Sequence, residues 1–377
     1  AAKTAALSGA KVLLMEQDPF WGGRAAVDGG ELDGAPAAEY VSRLVAELEA
    51  MENVTLRTRM MGAGVYDHGY LLGYERLRDH APELAGPRHR LWKIRASQII
   101  TASGAIERPL SFAGNDIPGV MLAGALRDYI ADYGVSAGDR VVVVTNNDDA
   151  YKTAMAVKAA GLDVPVILDA RAGGGGAAAD AARAAGIRVE NGKAIAKVTG
   201  GKRVKSVKIC AQAGEGGVLE EIACDAVAMS GGWSPVVHLW SHCGGKLVWD
   251  EEHAMFRPDE TRPPLGATGE GFVIPAGAAN GVMDMGVGLA DADHAGRKAV
   301  EALGLTAKAV KLPEFEQAAE APLEPVWMMP QGAGPKLRMK AWLDYQNDVK
   351  VSDVQLAAQE GYESVEHTKR YTTLGMA

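Results

Sequence analysis

The sequence KVLLMEQ, Lys11 to Gln17, contains a short apolar run that is followed by the acid Glu16 and is typical of a buried strand. A segment of helical composition, AAKTAALSGA at residues 1–10, precedes this run and stops near Gly9. A dinucleotide-binding domain has a strand, a glycine-rich turn and a helix before its second strand. An acid at the end of that second strand accepts hydrogen bonds from the adenosine ribose. Because the helix and the second strand are present, we expect a dinucleotide-binding domain whose first strand and glycine loop lie before Ala1.

The later strands follow the order of a split domain. SQIITASG at 97–104 is a strand that breaks at Ser103–Gly104, RVVVVT at 140–145 begins a β-α-β unit, and GFVIPAGAANGVMDM at 271–285 is a strand before a glycine-rich turn. This order predicts an α/β fold of the glutathione-reductase-like kind, a pair of Rossmann-type dinucleotide-binding domains with the second inserted in the first. The predicted domains are 1–120 with 245–310, the insert 121–244, and a linker with a small α/β tail at 311–377.

The remaining patterns predict the elements between these motifs. Apolar residues at helical spacing indicate helices at 37–52, 149–160, 286–303 and 352–360. Short apolar runs indicate a strand pair with a glycine-rich bend at 54–67, a hairpin or meander at 70–73 and 90–95, and an antiparallel meander at 187–229.

The insert lacks the glycine fingerprint of a nucleotide-binding loop. After its first strand the sequence reads TNNDDA, Thr145 to Ala150, where a nucleotide binder has GxGxxG. The carboxylates of Asp148 and Asp149 suit the free N–H groups and the dipole of a helix N-terminus, and they would repel a pyrophosphate there. We therefore interpret the insert as a scaffold that binds no nucleotide of its own.

The strand that returns to the first domain also departs from a flavin-binding pattern. FAD-binding domains of this fold usually end that strand with Gly-Asp, whereas here Gly277 to Gly281 reads GAANG. Without an acid at this position, we expect NAD rather than FAD in the first domain.

Composition and charge exclude several classes of function. The chain has 377 residues and a net charge of -9, which does not suit binding to nucleic acid or to an anionic membrane surface. No apolar run approaches the roughly 18 to 20 residues of a membrane span. The cysteines Cys210, Cys224 and Cys243 form no CxxC pair, so we interpret them as reduced structural thiols of a cytoplasmic protein. His238 and His242 have the i, i+4 spacing of helical metal ligands but no evident third ligand, and we expect no metal.

Four stretches resemble the alpha subunits of heterotetrameric sarcosine oxidases. They are LLMEQDPFWGGR at 13–24, ASGAIERPLSFAGNDIPGVMLAGALRDY at 102–129, IPAGAANGVMD at 274–284 and, most specifically, DYQNDVKVSDVQLAAQEGYESVEHTKRYTTLGMA at 344–377. The tail lacks the cysteine clusters of related dye-linked dehydrogenase subunits. The resemblance implies the middle of a longer alpha subunit, without its N-terminal region and its C-terminal folate-binding domain.

The resemblance also implies an activity, cofactors and partners. The complex would oxidise sarcosine (N-methylglycine) to glycine at an FAD in the beta subunit, pass electrons to an FMN between the alpha and beta subunits, and reduce O2 to H2O2. The methyl carbon would pass to tetrahydrofolate. The alpha subunit would bind NAD without using it as a redox partner, and its implied partners are the beta, gamma and delta subunits.

Cofactor contacts are implied residue by residue. The implied NAD contacts are Glu16 and Gln17 at the adenosine ribose, Gly22, Gly23 and Arg24 beside the dinucleotide, Ala63 at the adenine, Ser103 and Gly104 at the strand break, and Gly277, Gly281, Val282 and Met283 in the returning turn. The implied FMN contacts are a dense set of donors suited to a phosphate, His367, Thr368, Lys369, Arg370, Thr372 and Thr373. We expect no catalytic acid, base or nucleophile, because bound flavins would carry the chemistry.

Other interpretations of the sequence stay open. One is a self-sufficient NAD(P)H-dependent flavin reductase, against which the missing CxxC, the missing Gly-Asp and the acidic loop of the insert all count. Another is the alpha subunit of a related dye-linked proline or opine dehydrogenase. A third is a non-catalytic assembly module with a vestigial nucleotide fold. The donors of the tail, in turn, could belong to a solvated loop that only touches a partner subunit.

Overall fold

The structure is a computed structural model that describes residues 1–315 and 319–376. Its helices, α1 to α11 in chain order, are Ala2–Leu7, Ala25–Asp28, Ala37–Glu49, Ala123–Tyr133, Asp149–Ala159, Gly176–Ala184, His238–His242, Met285–Ala302, Pro335–Arg338, Val351–Gln359 and Val365–Thr372. Its strands, β1 to β23, are Val12–Met15, Glu31–Leu32, Ala35–Pro36, Val54–Arg57, Met60–Tyr66, Tyr70–Arg76, His89–Arg95, Ile99–Thr101, Ala105–Glu107, Val120–Leu122, Val141–Thr145, Ile167–Asp169, Val189–Asn191, Lys193–Gly200, Val204–Ala211, Glu220–Ala223, Ala226–Ser230, Trp233–Pro235, Leu247–Asp250, Met255–Pro258, Val273–Pro275, Trp342–Asp344 and Val349–Lys350. A 3-10 turn covers Gly277–Asn280.

The described chain divides into two compact units. Unit 1 comprises residues 1–106 and 234–315, and unit 2 comprises 107–233 and 319–376. Unit 1 is thus interrupted in sequence by unit 2, and both contain parallel strands connected by helices. The predicted α/β fold, with one dinucleotide-type domain inserted in another, is confirmed.

The division of the chain differs from the predicted boundaries. The sequence predicts an insert at 121–244 and a separate tail domain at 311–377, whereas residues 319–376 of that tail fall within unit 2 and residues 311–315 within unit 1. Met329 is fully buried in the core of this unit, and its N–H donates to Ser111 O at 2.9 Å. Farther along, Asn115 Nδ2 donates to Trp342 O at 2.9 Å, and Trp342 N donates to Asn115 Oδ1 at 2.9 Å. These contacts join the tail to the inserted unit instead of leaving it as a third domain.

Unit 2 is built around β11, whose sequence VVVVT is buried along its whole length. The strand occupies the middle of a parallel sheet with the order β10-β17-β11-β12-β13. Successive side chains of a strand point to opposite faces. Val142 and Val144 therefore pack against residues of the antiparallel meander β14-β15-β16. Val141 and Val143 pack on the other face, against α4, α5 and α6.

The connections of unit 2 match the predicted β-α-β arrangement. Helix α5 joins β11 to β12, and the two strands pair in parallel from Val143 and Ile167 onward. The predicted antiparallel meander at 187–229 is confirmed only for β14, β15 and β16. Strands β13 and β17, from the same stretch, pair in parallel within the central sheet. For β17 the reason is plain, because all five of its residues are buried and only an interior strand position accepts such a run.

Unit 1 contains two parallel strand pairs and an antiparallel meander. Strand β1 pairs with β4, from Val12 opposite Val54 to Met15 opposite Arg57. Strand β8 pairs with β21, and the predicted hairpin or meander at 70–73 and 90–95 is the sheet β5-β6-β7. The predicted helix at 37–52 is α3, and the helix predicted at 286–303 is α8. The parallel pairs place Glu16 and Ser103 at the carboxyl ends of strands, where dinucleotides bind in this class of fold.

Helices α1 and α8 pack closely in unit 1. A Cβ atom added at Gly296 would lie 2.9 Å from Ala1 Cα, so a side chain at this position of α8 would separate the two helices. Beside this contact, Thr4 Oγ1 donates a buried hydrogen bond to Asp293 Oδ1 at 2.7 Å. The glycine therefore sets the spacing, and the hydrogen bond sets the register of the two helices.

A buried carboxyl group lies at the start of unit 2. Glu107 is 6% exposed, and its Oε2 accepts a hydrogen bond from Gly124 N, in the first turn of α4, at 2.7 Å. Burial raises the pKa of Glu107 to about 7, although hydrogen bonds from Ser230 and Gly124 oppose this shift. The folded protein therefore holds the Glu107 proton more tightly than the unfolded chain does.

The variant Glu107→Gln should stabilise the protein at pH 8 and leave its stability nearly unchanged at pH 5. Because folding raises this pKa, the carboxyl group's contribution is fully present below its ordinary value of 4.5 and is lost as the pH rises through about 7. A neutral amide does not ionise as the pH rises, so the variant avoids this loss in the free energy of unfolding, which amounts to at most about 3 kcal/mol. Urea unfolding between pH 5 and 8 measures it, with the exposed Glu363→Gln as control. If the free energy of unfolding of Glu107→Gln changes with pH in parallel with that of the wild type, the pKa of Glu107 is not raised in the folded protein.

Candidate functional site

The predicted ribose acid lies in a hydrogen-bonded corner at the end of β1. Glu16 N donates to Arg57 O of β4 at 2.8 Å. The half-buried Glu16 side chain accepts a hydrogen bond from Asp18 N at 2.9 Å, which fixes the direction of its carboxylate. Gln17 is exposed, and its carbonyl accepts a hydrogen bond from the Arg76 guanidinium. Backbone pairing thus holds Glu16 at a carboxyl strand end with its carboxylate oriented.

The paired glycines after β1 are required by their surroundings. Gly22 and Gly23 have φ values of 106° and 51°, which L side chains rarely adopt. A Cβ at Gly22 would also lie 2.9 Å from Val41 Cγ1 of α3. Arg24 follows them and forms an ion pair with Asp28 one turn later, with Nη2 2.8 Å from Oδ1. The predicted phosphate partner therefore already has a local carboxylate.

Ala63 lies in a different local structure from the predicted one. The sequence predicts a glycine-rich bend after a strand, but Ala63 is an exposed residue inside β5. The pairing register of β5 with β6 shifts between Gly62 and Gly64, so Ala63 is the extra residue of a β-bulge. The break between β4 and β5 falls earlier, where Arg59 has a φ of 55°.

The strand break at Ser103–Gly104 is confirmed. Gly104 has a φ of 75° and separates β8 from β9. Ser103 Oγ donates to Val236 O at 2.8 Å. Strand β8 runs parallel to β21 with Thr101 opposite Pro275, so the turns that follow these two strands lie at the same edge. The structure therefore brings Ser103 and Gly104 to the same edge as the returning turn.

Two carboxylates hold the returning turn, that of Asp291 and that of Glu260, whose Oε1 accepts from Asn280 Nδ2 at 3.2 Å. Gly277 and Gly281 have φ values of 62° and 89°, and Val282 N donates to Gly277 O at 3.1 Å. Asp291 of α8 accepts from Gly277 N at 2.7 Å through Oδ2 and from Asn280 Nδ2 at 3.3 Å through Oδ1. The turn thus has a fixed shape, and its glycines leave the backbone accessible to a ligand.

The start of α8 is not a vacant anion site. Met283 lies before the helix, and Asp284 is its N-cap, with Oδ1 accepting from Val287 N at 2.8 Å. A helix N-terminus attracts phosphate through its free N–H groups and its dipole. Because the Asp284 carboxylate already interacts with both, it weakens the predicted attraction for a pyrophosphate.

The six tail donors lie on or beside α11, in unit 2. The prediction that all six offer free hydrogen-bond donors to a phosphate is only partly correct, because three of their hydroxyl groups donate to backbone carbonyls. Thr368 Oγ1 donates to Tyr362 O at 3.1 Å, Thr372 Oγ1 to Thr368 O at 2.8 Å, and Thr373 Oγ1 to Thr372 O at 2.6 Å. The alternative of a solvated loop is wrong for 365–372, which are helical.

The remaining tail donors are His367, Lys369 and Arg370. Residues of a helix are about 100° apart around its axis, so His367 and Arg370 share a face while Lys369 points away from them. Within the described residues, Lys369 and Arg370 form no ion pair. The tail thus offers separate cationic groups instead of one closed phosphate site.

Asp344 fixes the end of the tail beside α11. Its Oδ2 accepts from Asn347 Nδ2 at 2.9 Å and from Gly375 N at 2.8 Å. These bonds, with further backbone donors of the 344–347 turn, lower the pKa of Asp344 to about 2. The carboxylate therefore stays charged at neutral pH and holds the residues that follow α11.

No activated thiol is present among the described residues. Cys210, Cys224 and Cys243 are free, and burial raises their pKa values to about 11, 12 and 11. Such thiols stay protonated and are poor nucleophiles at neutral pH. His242, one of the two histidines of α7, packs its ring edge against Tyr66 with 4.8 Å between ring centroids.

Within residues 1–315 and 319–376, no three His, Cys, Asp or Glu side chains are grouped so that they could hold a metal ion. Over the same residues, none of the helices has both the length and the apolar character needed to span a bilayer.

Sequence reasoning missed two groups of buried polar residues. Asp291, which braces the returning turn, gave no local signal because its partners are 11 and 14 residues away. Arg171 of unit 2 is buried between Asp148 and Asp169. One signal for this second group was available: Asp169 ends the second strand of its unit, just as Glu16 does in unit 1.

Comparison with known proteins finds similarity to sarcosine oxidase alpha subunits. The model of the sarcosine oxidase A3 domain matches residues 338–377. The sarcosine oxidase subunit alpha of Rhizobium meliloti (strain 1021) is 38% identical over 381 residues, and that of Corynebacterium sp. (strain P-1) is 38% identical over 387 residues. Both alignments cover the whole of this chain, which spans 36% and 39% of the length of these relatives.

A solved structure shares the fold. L-proline dehydrogenase from P. horikoshii superposes with a TM-score of 0.68 over all of this chain and 67% of that chain, at 18% sequence identity. At this identity the likeness concerns the arrangement of strands and helices.

The variant Asp291→Ala should destabilise unit 1 by about 1–3 kcal/mol, because the N–H of Gly277 loses its acceptor and the Asn280 amide keeps only Glu260. Urea unfolding of the variant measures this loss. The matched control is Asp284→Ala, which removes a helix cap and should cost about 1 kcal/mol. If Asp291→Ala costs less than the control, Asp291 does not brace the turn.

Proposed function

Because the chain is related over its full length to sarcosine oxidase alpha subunits, we propose that it is part of a multi-subunit oxidoreductase that oxidises sarcosine. The proposed products are glycine and H2O2, with O2 as the electron acceptor and tetrahydrofolate as the acceptor of the methyl carbon. Bound flavins would supply the electron-transfer chemistry, FAD in a beta subunit and FMN at its contact with this chain. The role of this chain is to bind and position cofactors, in association with beta, gamma and delta subunits.

Unit 1 is the proposed NAD site. The observation that carries this proposal is the oriented carboxylate of Glu16 at the carboxyl end of β1. Strand β1 corresponds to the second strand of a dinucleotide-binding fold, at the end of which the adenosine ribose is bound. Gln17 lies beside it. The absence of an acid in the turn Gly277 to Gly281 favours NAD over FAD.

The other NAD contacts are proposed mainly through backbone groups. Gly22, Gly23, Gly104, Gly277 and Gly281 all have positive φ and lack side chains that would obstruct a ligand. Ala63, Ser103, Val282 and Met283 complete the proposed set. The carboxylate that caps α8 makes its N-terminus a poor pyrophosphate site, and Arg24 could reach a phosphate only by leaving Asp28.

The tail is the proposed contact with FMN and with the beta subunit. Lys369 and Arg370 are cations without an ion-pair partner in the described chain, and His367 lies on the same face as Arg370. Val365, in the first turn of the same helix, is 82% exposed, and in the linker Trp327 is 69% exposed. Exposed apolar side chains next to unpaired cations are the chemistry of an interface that includes an anionic group. The hydroxyl groups of Thr368, Thr372 and Thr373 would contribute only after leaving their backbone acceptors.

NAD should be released when the full-length alpha subunit, purified in its complex, is denatured, and Glu16→Gln should lower its amount. Loss of a charge-assisted hydrogen bond to ribose costs about 1.5–3 kcal/mol, or roughly tenfold or more in affinity. Mass spectrometry of the released nucleotide measures it per subunit. The control is Glu52→Gln, an exposed acid of the same unit. If the wild type contains no NAD, the vestigial module becomes the better interpretation.

The double variant Lys369→Met and Arg370→Met should lower the FMN content of the complex by roughly tenfold or more, because a charge-assisted contact to phosphate is lost whichever of the two cations makes it. Chromatography of the flavin released by denaturation separates FMN from FAD, and the FAD content should not change. Lys340→Met, an exposed lysine of the same tail, is the matched control. If the FMN content of the double variant is unchanged, neither Lys369 nor Arg370 contacts the FMN phosphate.

A further inference from the structure

The linker segment 319–326 lies across the carboxyl edge of the parallel sheet in unit 2. Ala321 N donates to Asp148 Oδ2 at 2.7 Å, just before α5. Next to it, Asn146 Nδ2 donates to Glu324 O at 2.8 Å, and Glu324 N donates back to Asn146 O at 3.3 Å. These contacts fix the segment against the loop that follows β11, which is the loop that carries phosphate in a nucleotide-binding domain.

The same segment spans the point where the strand order reverses. Ala321 lies near the start of α6, since a Cβ added at Gly176 would be 3.7 Å from its Cβ. Leu323 packs against Gly232, which follows β17, and a Cβ added at Gly232 would lie 2.6 Å from Leu323 Cδ1. Strands β11 and β17 are neighbours at the switch point of the sheet, and ligands of doubly wound sheets bind in this crevice.

Arg171 joins the segment to the acids of the crevice. Its guanidinium donates to both oxygens of Asp169, at 3.0 and 2.8 Å, and to Asp148 Oδ1 at 2.6 Å. It also donates to the carbonyls of Ala321 and Pro322, at 3.3 and 3.1 Å. Arg171 is 3% exposed and Asp169 is fully buried, so these contacts are shielded from water.

The side chains of Asn146, Asp148 and Asp169, which line the crevice of unit 2, therefore already have partners within the chain. Asp169, at the position of the ribose acid, also accepts a hydrogen bond from Tyr151 Oη at 2.7 Å. Burial, and then the Asp169 charge, raises the pKa of Tyr151, so its hydroxyl remains a donor. The predicted capping of α5 by acids is wrong in one respect: Asp148 has no side-chain capping bond, and Asn147 Oδ1 accepts from Asp149 N at 3.0 Å.

We propose that segment 319–326, here called the strap, is a built-in occupant of the second nucleotide crevice and that Arg171 holds it there. The strap supplies backbone donors and acceptors where a nucleotide would supply phosphate and ribose. Unit 2 is accordingly a closed domain, and a pyridine nucleotide cannot bind in it to deliver electrons. This inference concerns unit 2 alone and does not depend on NAD binding in unit 1.

Hydrogen–deuterium exchange of the full-length subunit in its complex tests the strap. In the wild type, peptides covering 319–326 should exchange at least tenfold more slowly than an unstructured peptide of the same sequence. Arg171→Lys keeps the positive charge between the two acids but loses the planar donor set, so strap exchange should rise at least tenfold while β11 stays protected. The control is Arg183→Lys, at an exposed pair with Asp180. Fast strap exchange in the wild type, or unchanged exchange in Arg171→Lys, overturns the proposal.

Two further measurements keep the proposal testable if Arg171→Lys unfolds the unit. Deleting residues 319–324 removes the backbone groups through which the strap bonds to the crevice and leaves the buried ion pairs of Arg171 intact, so peptides covering 145–149 should then exchange faster. Unchanged exchange there would show that the strap does not cover the crevice. Adding millimolar ADP to the wild type should not slow exchange at 145–149, and saturable protection of that loop by ADP would overturn the inference.

Discussion

Strand β11 has no solvent-facing side, and the organisation of unit 2 follows from that constraint. Four consecutive valines need apolar partners on both faces, which the meander supplies on one side and three helices on the other. The strand must then lie inside the sheet, with β12 and β17 as its neighbours. This arrangement brings the ends of all three strands together at one edge. The polar residues of that edge are buried as a consequence, and each must find a partner within the chain.

Much of the fold could be predicted because its signals are local. Apolar runs located β1, β8, β11 and β21, and their order along the chain identified a split domain. Ala63 was misplaced because glycines beside it were interpreted as a bend, although a bulge also accommodates glycine. Helix α11 was missed because its residues VEHTKRYT carry almost no apolar face. Arg171 has one local partner, Asp169, but its other partners lie 23 and about 150 residues away, a distance that no pattern of spacing covers.

Strands β1 and β12 occupy corresponding places in units 1 and 2, and each is associated with an acid at its carboxyl end. Comparing them shows why such an acid does not by itself identify a binding site. VLLME in unit 1 and VILD in unit 2 have the same pattern, with Glu16 directly after β1 and Asp169 the last residue of β12. Glu16 is half-buried and is oriented by a single backbone N–H. Asp169 is fully buried and is surrounded by Arg171 and Tyr151. Their neighbours in space, which come from distant parts of the sequence, give the two acids different roles.

The strap belongs to the same covalent chain as the crevice that it covers. A dissolved ligand binds according to its concentration, but a tethered segment acts at a fixed effective concentration, in the millimolar range for short flexible connections. Its occupancy of the crevice therefore does not vary with the metabolic state of the cell. Free nucleotides, in contrast, bind in proportion to their supply. Unit 2 thus keeps the architecture of a nucleotide-binding domain while its shape is independent of nucleotide levels.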